Sequence, residues 1–114
     1  EISSLQGFTL AATSLDNTGG KVLSEQNLTL LINQTLNNFK GQVASNGLTI
    51  NTNSLFNATG VLSSQAGMNL TSASLDNSAG ASITSQGALV LASTGAVNNQ
   101  GGQITSQAAL TLTS

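Results

Sequence analysis

The sequence predicts an all-β fold, a parallel β-helix (solenoid) with about 20 residues per coil and roughly five to six coils. Three observations predict it. A short phrase returns at steps of 21, 19, 20 and 22 residues. Apolar residues alternate with polar or small ones inside each repeat, which is strand periodicity with one face buried. Only 5% of the 114 residues are charged while 39% are hydrophobic, a balance that does not suit a disordered chain.

The repeat opens on a turn. LDNTGG at 15–20 belongs to a column of Asn-x-x-Gly spacings: Asn17 to Gly20, Asn38 to Gly41, Asn57 to Gly60, Asn77 to Gly80 and Asn99 to Gly102. Glycine there supplies either a positive φ or a close approach at a bend. Asn and Asp side chains hold their own backbone in Asx turns. Stacked amides can also bond along the axis, each donor to the next acceptor. These ten residues are the candidate site, a structural turn ladder. In row four Gly80 and Ile83 lie one residue further apart than their equivalents, so length variation is expected to fall in turns.

After the turn comes a strand bearing Val22, Val43, Leu62, Ile83 and Ile104, with Ile2 from a partial first repeat. Two residues on stands a serine every time: Ser4, Ser24, Ser45, Ser64, Ser85 and Ser106. The expected place for it is an inward corner too tight for bulk, with its hydroxyl bonded to backbone. An apolar-x-apolar triplet follows, from Phe8/Leu10 and Leu28/Leu30 through Leu48/Ile50, Met68/Leu70 and Leu89/Leu91 to Leu110/Leu112. Its central residues, Thr29, Thr49, Asn69, Val90 and Thr111, are expected to point outward. Leu15, Leu36, Leu55, Leu75 and Val97 then lead into the next turn. Such short strands cannot bury their apolar faces singly. Coiled and stacked about 4.8 Å apart, each pairs with its copy in the next rung and satisfies its backbone groups.

Composition excludes several functions. Lys21 and Lys40 are the only cations and the net charge is −2, so phosphate neutralisation is not available and no nucleic-acid partner is expected. Without Cys there is no disulfide framework and no thiolate metal site. Asp16 and Asp76 invite comparison with a calcium loop, yet they stand three rungs apart, with Asn37 and Phe56 between them. Catalysis lacks its groups: four acids are scattered and there is no His or Arg. No metal, cofactor or enzymatic activity is expected. Phe39 and Phe56 fall in neighbouring rows and are expected to pack over a corner.

The unit LDNTGGKVLSEQNLTL resembles the haemagglutinin repeat of filamentous haemagglutinins, a repeat that also builds the stalks of contact-dependent growth inhibition effectors. The resemblance covers essentially the whole chain. It implies a right-handed parallel β-helix, secretion through a dedicated outer-membrane two-partner secretion transporter, and display on the surface of a Gram-negative cell. The transporter would be engaged through an N-terminal secretion domain outside these residues. On this basis residues 1–114 are expected to be a single β-helix repeat segment, a fragment of a longer exoprotein, serving as its stalk or shaft. The shaft would present an adhesin or toxin module, as in virulence. The alternative is that the segment itself binds a host glycan or a target-cell receptor. A Thr-bearing face also suggests an ice-binding solenoid, though Asn69 and Val90 interrupt it. Unpaired rungs at either end are expected to invite end-to-end self-association.

Overall fold

The computed structural model describes residues 1–113, which form fifteen strands, β1 to β15, and no helix. Each coil but the last, which shows two among the described residues, runs through three strand positions. The first coil shows them as β1 (Ile2–Ser4), β2 (Phe8–Ala12) and β3 (Leu15–Asp16). In the next two coils the second and third positions merge into one long strand, β5 (Asn27–Asn37) and β7 (Gly47–Phe56). They separate again as β9 (Met68–Ser72) with β10 (Ser74–Asp76), and as β12 (Leu89–Ser93) with β13 (Val97–Asn98).

First-position strands make a six-stranded sheet, ordered β1, β4 (Lys21–Ser24), β6 (Gln42–Ser45), β8 (Val61–Ser64), β11 (Ser82–Ser85) and β14 (Gln103–Ser106). The others, ending in β15 (Leu110–Thr113), make a nine-stranded sheet. Every pairing is parallel and joins one coil to the next, as with Val22 on Val43, Val43 on Leu62 and Leu62 on Ile83. The protein is thus a β-solenoid of about 6 turns with ~20 residues per turn, the period that its sequence repeats carry.

The interior is the set of apolar columns. Val22, Val43, Leu62 and Ile83 are 0–1% exposed, and the Leu28/Leu30, Leu48/Ile50, Met68/Leu70 and Leu89/Leu91 pairs no more than 2%. Leu36, Leu55 and Leu75 close the third side. Each such side chain contributes about 1.5–3 kcal/mol by leaving water. Between them Thr49, Asn69, Val90 and Thr111 face solvent, and Thr29 is half-buried. One-residue differences in coil length all fall at corners. The register of β5 on β7 shifts between Ile32 and Thr35, where Asn33 and Gln34 face a single residue, Asn53.

The serine column sits inside a corner, with Ser24, Ser45, Ser64 and Ser85 buried. Ser64 and Ser85 each share one O–H between two backbone carbonyls: Ser64 between Asn46 (2.8 Å) and Gly67 (2.6 Å), Ser85 between Ala66 (2.9 Å) and Gly87 (3.0 Å). A second inward corner, two residues after the apolar triplet, holds Ala12, Ile32, Thr52, Ser72 and Ser93. Thr52 and Ser93 bond carbonyls there as well. The mixed identities in that column hide it from a repeat search.

Candidate functional site: the asparagine corner

At the third corner the five asparagines bond in series. Asn17 Nδ2 donates to Asn38 Oδ1 (2.7 Å), Asn38 to Asn57 (2.7 Å), Asn57 to Asn77 (2.8 Å) and Asn77 to Asn99 (2.8 Å). All donations run the same way along the axis. The second Nδ2 hydrogen reaches backbone: Gln42 O from Asn17, Val61 O from Asn38, Ser82 O from Asn57 and Gln103 O from Asn77. Asn38, Asn57 and Asn77 are wholly buried, and no buried side-chain nitrogen or oxygen among the described residues lacks a partner. A buried primary amide is costly unless its groups are paired, and here the next copy of the same residue does the pairing.

The glycines explain why the amides can come so close. Four of the five turns close with an amide donating back to the asparagine carbonyl, Gly20 to Asn17 (2.9 Å), Gly41 to Asn38 (2.9 Å), Gly60 to Asn57 (2.8 Å) and Gly102 to Asn99 (3.0 Å). A Cβ would lie 2.5 Å from Asn38 Oδ1 at Gly41, and 2.6 Å from Asn57 Oδ1 at Gly60. It would also overlap the carbonyl of the preceding rung's asparagine, Asn17 or Asn38. Close approach, not positive φ, therefore selects glycine in this column.

Gly80 is the exception and corrects its assignment. A Cβ on Gly80 would meet nothing within 4 Å, but its φ is +81°. The turn of row four carries one more residue than its neighbours. Ala81, which is 1% exposed, follows Gly80 and stands immediately before Ser82, the partner of Val61 and Gln103. Ala81 therefore takes the place that Gly60 and Gly102 hold in adjacent rungs. Its amide donates to Ser78 O (3.2 Å), not to the asparagine carbonyl. In the other turns the positive φ belongs to the residue before the column, Gly19 (64°), Lys40 (57°), Thr59 (59°) and Gly101 (75°); in the longer turn of row four Ala79 (58°) and Gly80 (81°) both carry it. Only two glycines mark that left-handed column in the sequence, so it is missed by pattern. Thr59, a β-branched residue in this region, is the strained member, and its hydroxyl bonds Ala79 O (3.0 Å).

Outside the ladder a second set of side chains caps the same turn. Asp16 Oδ1 accepts from the amide of Thr18 (3.0 Å), Asn37 from Phe39 (3.0 Å), Asp76 from Ser78 (3.1 Å) and Asn98 from Gln100 (3.1 Å). These are the Asx turns of the sequence analysis, and amide or carboxylate serves equally. The hydroxyl and amide of Thr18 hold the exposed Asp16 carboxyl below the usual range. Phe56 interrupts the column and has no oxygen to offer. Its ring stacks on Phe39 instead, 5.9 Å between centroids at 24°, with Lys40 Nζ 5.2 Å from the Phe39 centroid. The aromatic pair thus covers the corner where the cap is missing. Among the described residues no three His, Cys, Asp or Glu side chains gather as could hold a metal ion.

The corner thus joins successive rungs through its amides. Comparison with known proteins agrees with the repeat. The family model described as "Haemagglutinin repeat" matches residues 2–55 and 43–114. No curated protein and no solved structure gave a significant match.

Proposed function

The chain belongs to the haemagglutinin repeat family, and from that premise we propose that residues 1–114 are a shaft segment of a secreted, filamentous haemagglutinin-like exoprotein. In this proposal the coils continue into a longer polypeptide displayed on a Gram-negative cell surface. They hold an adhesive or toxic module away from the membrane. Export uses a two-partner outer-membrane transporter that reads a secretion domain elsewhere in the polypeptide. The role is mechanical, without catalysis or cofactor.

The observation that carries the proposal is the unbroken rung-to-rung connection. Parallel pairing joins each coil to the next in both sheets, and the buried ladder from Asn17 to Asn99 adds a side-chain link at one corner. A load along the axis is shared by all of these bonds. Removal of one whole coil, residues 57–76, from the secreted parent tests this. Asn38 would then meet Asn77 in place of Asn57, and the columns would stay in register. Target-cell attachment or toxin delivery should persist with a shorter shaft; its loss would show that the segment is more than a spacer.

One observation favours the adhesin alternative. A shallow groove of about 500 Å³ runs across the first four rungs, lined by Ser3, Leu23, Ala44 and Ser63 with Leu5, Glu25, Asn46 and Gln65 beside them. Hydroxyls and amides beside small apolar patches suit a neutral glycan. Saturable glycan or cell binding by the isolated 114-residue chain, abolished by Ala44→Arg, would favour this reading over a pure shaft.

A further inference from the structure

We propose that the Asn46–Gly47 step modifies itself. The chain closes a succinimide there, assisted by Ser64, and water opens it to a carboxylate on the groove beside the first sheet. The proposal rests on the serine corner and is independent of the shaft and glycan readings.

Asn46 differs from the other asparagines in its surroundings. The ladder asparagines have their side-chain amides bonded, and Asn37 and Asn98 have Oδ1 tied to turn amides. Asn46 is exposed at a bend, and its hydrogen bonds run through its backbone. It is also the only asparagine followed by glycine. After Asn27, Asn33, Asn51, Asn53 and Asn69 come Leu, Gln, Thr, Ser and Leu, whose side chains crowd the backbone nitrogen that must attack. Stacking keeps the glycine in place, because a Cβ at Gly47 would lie 2.5 Å from Asn27 Oδ1.

The reaction needs only water and hydroxide. The Gly47 nitrogen yields its proton to hydroxide and attacks Asn46 Cγ, forming the new N–C bond within one chain. The Cγ–Nδ2 bond breaks, and Nδ2 takes a proton from solvent and leaves as ammonia. Water then opens the ring, giving aspartate by attack at Cγ or isoaspartate by attack at the main-chain carbonyl. The negative charge of the attacking nitrogen is shared with the Asn46 carbonyl oxygen, to which it is conjugated. That oxygen accepts from the Ala66 amide (2.6 Å) and from the shared hydroxyl of Ser64 (2.8 Å). Two donors held on an atom where charge develops stabilise the anion, as an oxyanion hole does. Either product adds one carboxylate, taking the net charge from −2 to −3. The new carboxylate joins Glu25 on the same groove.

Incubation of the folded chain at mildly alkaline pH, read by peptide mass spectrometry, tests this. Asn46 should be the first asparagine to exchange NH for O, with isoaspartate among the products and a rate that rises with pH. Asn46→Gln, at an exposed position, would have to close a larger and slower ring and should end conversion at this corner. Ser64→Ala separates assistance from looseness. Loss of the donor should slow conversion at least about tenfold, whereas a corner that is merely loosened would convert faster. No conversion at Asn46, or earlier conversion at another asparagine, overturns the proposal. So does an unchanged or faster rate in Ser64→Ala.

Discussion

The asparagine corner and the serine corner bend the same chain by different chemistry. The single O–H of Ser64 is shared between two backbone carbonyls, of Asn46 and Gly67, and needs nothing from the serines above and below it. Asn57 accepts from Asn38 and donates to Asn77, so its neighbours are incomplete without it. One corner is a set of independent sites, the other a chain of dependent ones. The second inward corner shows what independence permits: Ala12, Ile32, Thr52, Ser72 and Ser93 share one position with no common side chain. Side chains that bond to backbone can be exchanged singly. Side chains that bond to their own kind cannot.

The sharpest attempt to break this contrast is Asn57→Leu. It leaves Asn77 Oδ1 without its donor and weakens the pairing of Asn38, in a site closed to water. A loss of about 3 kcal/mol is expected in urea unfolding. A cost no larger than that of a serine variant would end the distinction. Next comes Gly60→Ala, whose Cβ would press on Asn57 Oδ1 and the Asn38 carbonyl, for about 2 kcal/mol. Gly80→Ala meets open space and bears only its left-handed φ, so about 1 kcal/mol is expected. Thermal melts of the two variants side by side would separate them, and equal shifts would refute the two roles assigned to glycine.

Ser64→Ala should cost about 1 kcal/mol, because the Asn46 carbonyl keeps the amide of Ala66 (2.6 Å) when the hydroxyl goes. Smallest is the acid response of Asp16. Its folded carboxyl is held low by Thr18, so protonation favours the unfolded chain. The contribution is present above the ordinary Asp range, about pH 3.9, and is lost as pH falls through the lower folded value. Asp16→Asn keeps the Asx bond and should flatten that small acid-side slope in melting temperature. An unchanged slope would place it elsewhere.

Repetition made most of the fold legible. Six serines and the paired leucines recur in step, and a column that recurs is a side-chain position in a stack; the structure buries Ser24, Ser45, Ser64, Ser85 and the apolar pairs from Leu28/Leu30 to Leu89/Leu91, as the pattern implies. The asparagines recur for a stricter reason, since each completes the next. What stayed hidden had physical causes. Gly80 falls at the motif's fourth position, but an added residue in the turn passes that place to Ala81. Spacing alone cannot tell a glycine chosen for contact from one chosen for φ. The left-handed column was illegible because Lys40, Thr59 and Ala79 accept the conformation despite its cost. The stacking of Phe39 on Phe56 could be expected from adjacent rows, whereas its place over an uncapped turn needed the Asx bonds around it.

The one-residue irregularities at Asn33, Gln34 and Gly80 bear on heredity. A codon gained or lost within an ordinary strand inverts every side chain beyond it, and the lineage carrying it is generally lost. In this protein the same accident at a corner is absorbed before the next strand begins. Copying slips, frequent in tandemly repeated genes, would then become a supply of viable variants.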